Sequence, residues 1–442
     1  MRRWPRYRWV LVGLALVALV LFARDRMTYH PGRIRNRVQA PHYAVPKHNG
    51  YDHYVEAGRL AKEAETREEQ RGADRFDRVM GFTNAGPPSP DELRGYLAAF
   101  QPALAEMRRG LSEESVVTPR DLAPRSGLDR YSGLRSLARA MRLAVTEASA
   151  RGDYETATRT ALEGLRFSQE TARGGDALDS LVSGAICGML FAAVHKDLIP
   201  RCTDARVLRE LASGLAALEA RQPSMADALA QRCADETRTL EAIFEDRLVG
   251  EALARYSENW VAARRAWGKQ PTAQATARDW AATSWEKACV LAMFLNPTGV
   301  VQRVQDMYRP VIEQCRRPYY TRSGGGSGHA TPRGIVGVTL GPSATIVETE
   351  FRALADWRII RTMVALRRYE QQHGAYPDTL ERLVPDYLAA IPVDPFGGGL
   401  LKYRRQATSY VVYSVGLNLR DDGGAKGNFP GDPKAADYAY WP

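Results

Sequence analysis

The sequence predicts a multidomain chain: an N-terminal transmembrane helix, an all-α body of helical hairpins, and a small C-terminal α+β domain of one long helix and an antiparallel sheet. Three observations predict it. An uninterrupted apolar run lies near the N-terminus, apolar residues recur at helical spacing through most of 51–320, and the residues after 344 pass from a helical period to short strand-like segments. A chain of 442 residues also exceeds the roughly 250–300 residues at which single cores stop growing.

The first element is "MRRWPRYRWVLVGLALVALVLFARDR". Four arginines precede an apolar run from Trp9 to Ala23, and Arg24 and Arg26 follow it. Fifteen residues is short for a bilayer core that needs about 20, but flanking Trp and Arg extend a span by snorkelling. Leu21 stands two residues before Ala23, where a small residue would suit cleavage, so residues 1–24 read as a cytoplasmic tail and an uncleaved signal anchor. Four cationic residues before the span and five soon after it leave the positive-inside rule nearly even. A short tail before a large body favours a single-pass protein of the inner (cytoplasmic) membrane with an extracytoplasmic, periplasmic body.

Residues 25–50 form a polar, Pro- and Arg-rich linker. The net charge of +10 resides largely in this N-terminal arm, because Met1–Val38 carries nine arginines and one aspartate. The rest of the chain is nearly neutral and has no basic stripe interleaved with aromatics, which argues against nucleic acid as a partner. His42, His48 and His53 fall close together at the end of the linker, and their expected role is exposed side chains before the first helix. Cys187, Cys202, Cys233, Cys289 and Cys315 are widely spaced with no CxxC pair, fit no zinc template, and read as buried thiols.

From 51 to 320 the pattern is helical. Val207, Leu211, Leu215 and Leu218 share one face, and Ala157, Ala161 and Leu165 another. "RGDYETATRTALEGL" looks like one turn and helix of a tetratricopeptide repeat, but no second copy follows at that period, so an array of antiparallel helical hairpins is expected. "LVSGAICGMLFAAV" (Leu181–Val194) is apolar all round and is expected to be the central buried helix of the bundle rather than a second span. The Gly-rich "RSGGGSGHATPRG" within 321–343 has no Lys-Ser or Lys-Thr after it and reads as a linker, not a phosphate loop.

In the C-terminal domain, 344–442, Phe351, Ala355, Ile359, Met363, Leu366 and Tyr369 predict an amphipathic helix from about 345 to 372, ended by Gly374. A second short helix is expected within "YPDTLERLVPDYL". "LLKYRR", "YVVYSV" and "DYAYW" read as strands, with "DPFGG" as a turn.

These pieces carry a resemblance. "ALRRYEQQHGAYPDTLERLVPDYL", "IPVDPFGG", "YRR…YVVYSVG" and "ADYAYWP" together resemble the soluble domain of the major pseudopilins of type II secretion systems, over about 100 of the 442 residues. The resemblance implies a long helix packed on a small antiparallel sheet, and a calcium ion held in the loop before the last strand. By position, Asn418 falls where the family usually has an aspartate, Asp437 matches the aspartate before the last strand, and Asp421 and Asp422 lie in the intervening loop, which is longer here. Two features depart from the family. The apolar N-terminal helix is separated from the long helix by roughly three hundred residues, and after Gly13 the fifth position is Ala18 rather than glutamate. The implied arrangement is therefore a pseudopilin-like domain reused on a membrane-anchored helical body, not a polymerising pilin.

The loop "YSVGLNLRDDGG" is suited to such an ion, since calcium takes six to eight oxygens in flexible geometry and glycines let the backbone turn to aim them. It does not follow the EF-hand, having Arg420 at the third position counted from Asn418. Glu370 and His373 match a Glu-x-x-His di-iron motif without the other ligands that such a site requires, and are expected to form a polar helix end. Glu241 and Glu245 share a helical face that is expected to be solvated surface. No GxSxG, HExxH or Rossmann fingerprint occurs. The expected function is that of a non-catalytic, membrane-anchored envelope scaffold or accessory protein, with protein partners in a secretion or pilus-like complex. The alternatives are a cell-envelope hydrolase with its site in the helical body, and a repeat-type peptide-binding module.

Overall fold

The computed structural model describes residues 38–81, 86, 88–118, 126–245, 297–321, 343–424 and 437–442. The N-terminal apolar run, most of the Gly-rich stretch and Cys289 lie outside these residues. The chain divides into two compact units, one of Met1–Ala40, Asp121–Pro124 and Arg232–Pro310, and one of Pro41–Arg120, Arg125–Gln231 and Val311–Pro442.

The second unit begins with helix α1 (Gly50–Arg71), followed by α2 (Ala73–Met80), α3 (Pro90–Leu97), α4 (Gln101–Leu111), α5 (Ser126–Ala150), α6 (Tyr154–Glu170), α7 (Ala177–Ala193) and α8 (Ala205–Glu219). Polar residues set the starts. Asn49 Oδ1 accepts from Tyr51 N at 3.2 Å and Val116 N at 3.0 Å, while its Nδ2 donates to Val116 O at 2.8 Å, so one cap also pins a distant extended segment. Asp176 and Asp179 form a reciprocal capping box at the start of α7. The helices α1 and α5 cross at Gly58 and Gly133, where a Cβ on Gly133 would stand 2.6 Å from the Gly58 carbonyl oxygen. Only glycine permits that approach.

The apolar positions read from the sequence are buried: Ala157, Ala161 and Leu165 on α6, and Val207, Leu211, Leu215 and Leu218 on α8. Cys187, Cys202 and Cys233 are buried thiols, and Cys315 is buried too. Helix α7 continues through a π-turn at Val194–Leu198 to Arg201. The stretch Ala177–Arg201 is long and apolar enough to cross a membrane by length and composition, and 50% of its apolar window is buried. It packs against α5, α6 and the long C-terminal helix, in the position of a core helix.

Helix α9 (Met225–Glu245) and helix α10 (Pro297–Arg316) supply most of the described residues of the first unit, where Tyr308 is fully buried.

The long helix α11 (Ser343–His373) ends at Gly374, whose φ of 74° is left-handed and whose N–H donates to Glu370 O at 2.7 Å. Phe351, Ala355, Ile359, Met363 and Leu366 are buried, but so is every residue from Thr362 to Leu366, so the helix is covered all round rather than on one face. One side meets α7 and α8: Trp357 stands edge-on to Phe191 at 4.9 Å, Glu219 pairs with Arg358 and Arg361, and Gln371 Nε2 donates to Cys202 O at 2.7 Å. The other side carries the sheet. Strands β1 (Lys402–Arg405), β2 (Tyr410–Ser414) and β3 (Tyr438–Tyr440) are antiparallel in that spatial order, with Arg405 opposite Tyr410 and Tyr413 opposite Ala439. The fold is thus mostly helical with one small antiparallel sheet, and α11 and the sheet share a compact unit with α1–α8.

The expected second short helix is only a 3₁₀ turn at Leu380–Leu383. Pro385 has no N–H to continue a helix and pushes the residue before it out of the α region; Val384 is extended.

Candidate functional site

The acidic loop leaves the end of β2 through a set of left-handed residues. Gly416, Leu419, Gly423 and Gly424 have φ of 63°, 58°, 77° and 67°. Leu419 is the only non-glycine among the described residues with positive φ, and it marks the tight turn in which Asn418 and Arg420 are presented.

The entrance to the loop is held by a residue that the sequence marks only as part of a turn. Asp394, in "DPFGG", is buried; its Oδ1 accepts from Phe396 N at 2.9 Å and Ser414 Oγ at 2.6 Å, and its Oδ2 accepts from Val415 N at 2.9 Å. The carboxylate therefore closes its own turn and anchors the end of β2 at once. Its partners on β2 lie some twenty residues further along the chain, so no local motif reveals them.

The loop residues expected to hold an ion differ in how they are engaged. Asn418 Nδ2 donates to Asp422 Oδ2 at 2.9 Å, and Asn418 Oδ1 accepts from Arg420 N at 2.9 Å. Asp421 Oδ1 accepts from Tyr413 OH at 2.9 Å and Gly423 N at 3.1 Å, while Oδ2 lies 3.5 Å from Lys402 Nζ. Asp437 is buried; its Oδ2 accepts from Gly424 N at 2.7 Å, and its Oδ1 is enclosed with no partner at hydrogen-bond distance among the described residues. Among the described residues, no group of three or more His, Cys, Asp or Glu side chains is gathered as for a metal ion.

The electrostatics separate these carboxylates. For Asp421, burial works upward, but Tyr413, the Gly423 N–H and Lys402 outweigh it and hold the group below the usual carboxylate range. Burial, with the hydrogen bond to Asp421, pushes the Tyr413 hydroxyl up to about 12. Asp437 moves the other way. Burial raises it, the N–H groups of Gly424 and Asp422 oppose, and the negative charges of Asp422 and Asp421 raise it further. A buried carboxylate oxygen without a donor, facing a field of like charge, is an arrangement that a cation would relieve.

The other candidates are engaged elsewhere. His42 and His48 are exposed, while His53 Nδ1 lies 2.6 Å from Glu106 Oε1. His373 stacks on Tyr369 with centroids 4.1 Å apart, and Glu370 pairs with Arg367 at 2.7 Å. Glu241 and Glu245 lie on α9, and the Glu245 side chain is outside what the structure describes. Between the helical body and α11 a cavity of about 150 Å³ is lined by Ser180, Ser183, Gln222, Ser224, Thr349 and Glu350, with apolar residues between them. That is small against the roughly 300–1,000 Å³ of ligand pockets, and Glu350 Oε1 accepts from Met225 N at 3.1 Å at the start of α9.

No protein-family model, curated protein or solved structure matches the chain.

Proposed function

We propose that the chain is a membrane-anchored envelope scaffold of the inner membrane, with a periplasmic body whose C-terminal α+β segment is pseudopilin-like and organised by calcium. The observation that carries this reading is the buried, unpartnered Asp437 Oδ1 at the point where the acidic loop returns to the sheet. Calcium is held by oxygen ligands alone, and carboxylates with amide carbonyls are the usual donors. Asp437, Asp422, Asp421 and Asn418 would hold it. The ion would supply the positive charge that Asp437 lacks and would fix the loop between β2 and β3.

The chain's own residues prepare that role. Asp394 fixes where the loop begins, Gly424 brings its N–H to Asp437, and Tyr413 and Lys402 restrain Asp421. The scaffold reading is supported by ion pairs and hydrogen bonds of the helical body that join one helix to another. Glu65 accepts from Ser136 and Arg139 across α1 and α5, and Arg130 pairs with Asp179 at 3.2 Å between α5 and α7. Its partners would be proteins of a secretion or pilus-like assembly.

The test is thermal unfolding of the full chain in detergent, with calcium and with chelator. Calcium should raise Tm, and Asp437→Asn should remove the difference. Equal Tm in calcium and chelator would overturn the reading.

A further inference from the structure

Strand β1 is an edge of the sheet: among the described residues its ladder is with β2 alone. Gln406 N donates to Ser409 O at 2.9 Å and closes the turn between the two strands. Antiparallel bonding alternates from that pair, so Lys402 and Arg404 turn their N–H and C=O groups towards β2, while Tyr403 and Arg405 turn theirs to the open side. Leu401, in the same phase as Tyr403, bonds outward already, its N–H donating to Pro392 O at 3.0 Å. After that bond the outward main chain of β1 meets no strand among the described residues.

The side chains beside this edge are of two kinds. Leu400, Lys402 and Arg404 fall at alternate positions, hence on one face of the strand, and all three are exposed, while Leu401 between them is buried. Leu400 bridges to Val393, and the Tyr320 ring lies against Gly398 in the same turn. Leu400, Val393 and Tyr320 are 48%, 46% and 49% exposed, so an apolar patch adjoins the start of β1. Further along, the same face is cationic. Lys402 is half-exposed beside Asp421, and Arg404 makes no hydrogen bond or ion pair among the described residues.

We propose that β1 is a docking edge for an extended acidic segment of a partner protein, which adds to the sheet as a fourth strand. Its apolar residue would cover Leu400, Val393 and Tyr320, and its carboxylates would stand opposite Lys402 and Arg404. The proposal rests on the scaffold reading only in taking the occupant to be a protein; the calcium reading does not enter it.

The charges select the occupant. A second copy of this chain pairing edge to edge would set the cations of one β1 against those of the other, and like charges facing across a ladder are destabilising. A neutral strand gains the main-chain bonds of Tyr403 and Arg405 but leaves Lys402 and Arg404 without counter-charge. An acidic strand gains both, its main chain supplying affinity and its alternate side chains specificity. Residues opposite Leu400, Lys402 and Arg404 are two apart, so the segment that fits carries one apolar and two acidic side chains at alternate positions.

The test uses a short fluorescein-labelled peptide in which threonine alternates with two glutamates and a valine, beside a counterpart with lysine for glutamate. Each is added to the full chain in detergent with chelator present, which separates the outcome from the calcium reading. Anisotropy should show saturable binding of the glutamate peptide and binding of the lysine peptide weaker by about 10-fold or more, since two exposed attractions become repulsions. Arg404→Glu should weaken the glutamate peptide and strengthen the lysine peptide. Amide exchange then locates the site. The Tyr403 and Arg405 N–H groups should exchange freely in the chain alone and slow when the glutamate peptide binds, whereas those of Lys402 and Arg404 should be slow in both. No binding, equal binding of the two peptides, or binding that leaves Tyr403 and Arg405 unprotected would overturn the proposal. Protection of those two amides in the chain alone would do so as well, because the edge would then be covered already.

Discussion

Asp394 and Asp437 are both buried carboxylates at the acidic loop, one where the chain enters it and one where it returns, yet their surroundings are opposite. Both oxygens of Asp394 accept from donors of its own chain, whereas among the described residues Asp437 Oδ2 accepts from Gly424 N, the Asp422 N–H adds a weaker pull, and Oδ1 has no partner at hydrogen-bond distance. A saturated buried carboxylate is a structural tie. An unsaturated one carries a desolvation cost that persists unless a cation or a proton relieves it. The comparison teaches that burial alone does not set a carboxylate's role; what distinguishes these two is whether both oxygens are filled.

The largest effect expected from breaking this comparison comes from Asp394→Ala. It leaves the N–H groups of Phe396 and Val415 and the Ser414 hydroxyl without their acceptor, and should cost about 3 kcal/mol or more. Because the tie is internal, chemical denaturation should show the same loss in calcium and in chelator.

A smaller effect is expected from Gly424→Ala. Its φ of 67° is left-handed, and a Cβ there would meet Tyr413 Cδ1 at 2.9 Å, so the substitution should cost about 1–2 kcal/mol. The same residue donates the N–H that orients Asp437, so the variant should also weaken calcium stabilisation in a thermal melt. The smallest effect belongs to Lys402→Ala. Lys402 and Asp421 are 46% and 44% exposed, and such a pair is worth less than about 1 kcal/mol. Stability should hardly change, while calcium titration should shift to lower concentration, since a competing cation has been removed.

Much of the fold was legible because it rests on local rules. The end of α11 at Gly374, the buried stripe on α8 and the strands "YRR" and "YVVYS" follow from spacing and backbone preference. What escaped depends on partners far along the chain. Asp356 lies between Ala355 and Trp357 on a helix and reads as a polar interruption; its role appears only when Tyr438 and Tyr440, more than eighty residues later, reach it. The all-round burial of α11 escaped for a similar reason, since the sequence shows its apolar face but not that α7 and α8 cover the other. For the loop, the sequence and the resemblance supplied the four residues as candidates. Their unequal engagement, with Asp421 satisfied and Asp437 open, was not, because it is set by Tyr413, Lys402 and the depth of burial.

The most direct test of the central claim is isothermal titration of calcium into the chelator-stripped full chain in detergent, beside Asp437→Asn and Asp394→Asn. The account predicts saturable binding in the native chain, none in Asp437→Asn, and binding retained in whatever fraction of Asp394→Asn is folded. Saturable binding that survives in Asp437→Asn, or no binding by the native chain, would contradict it.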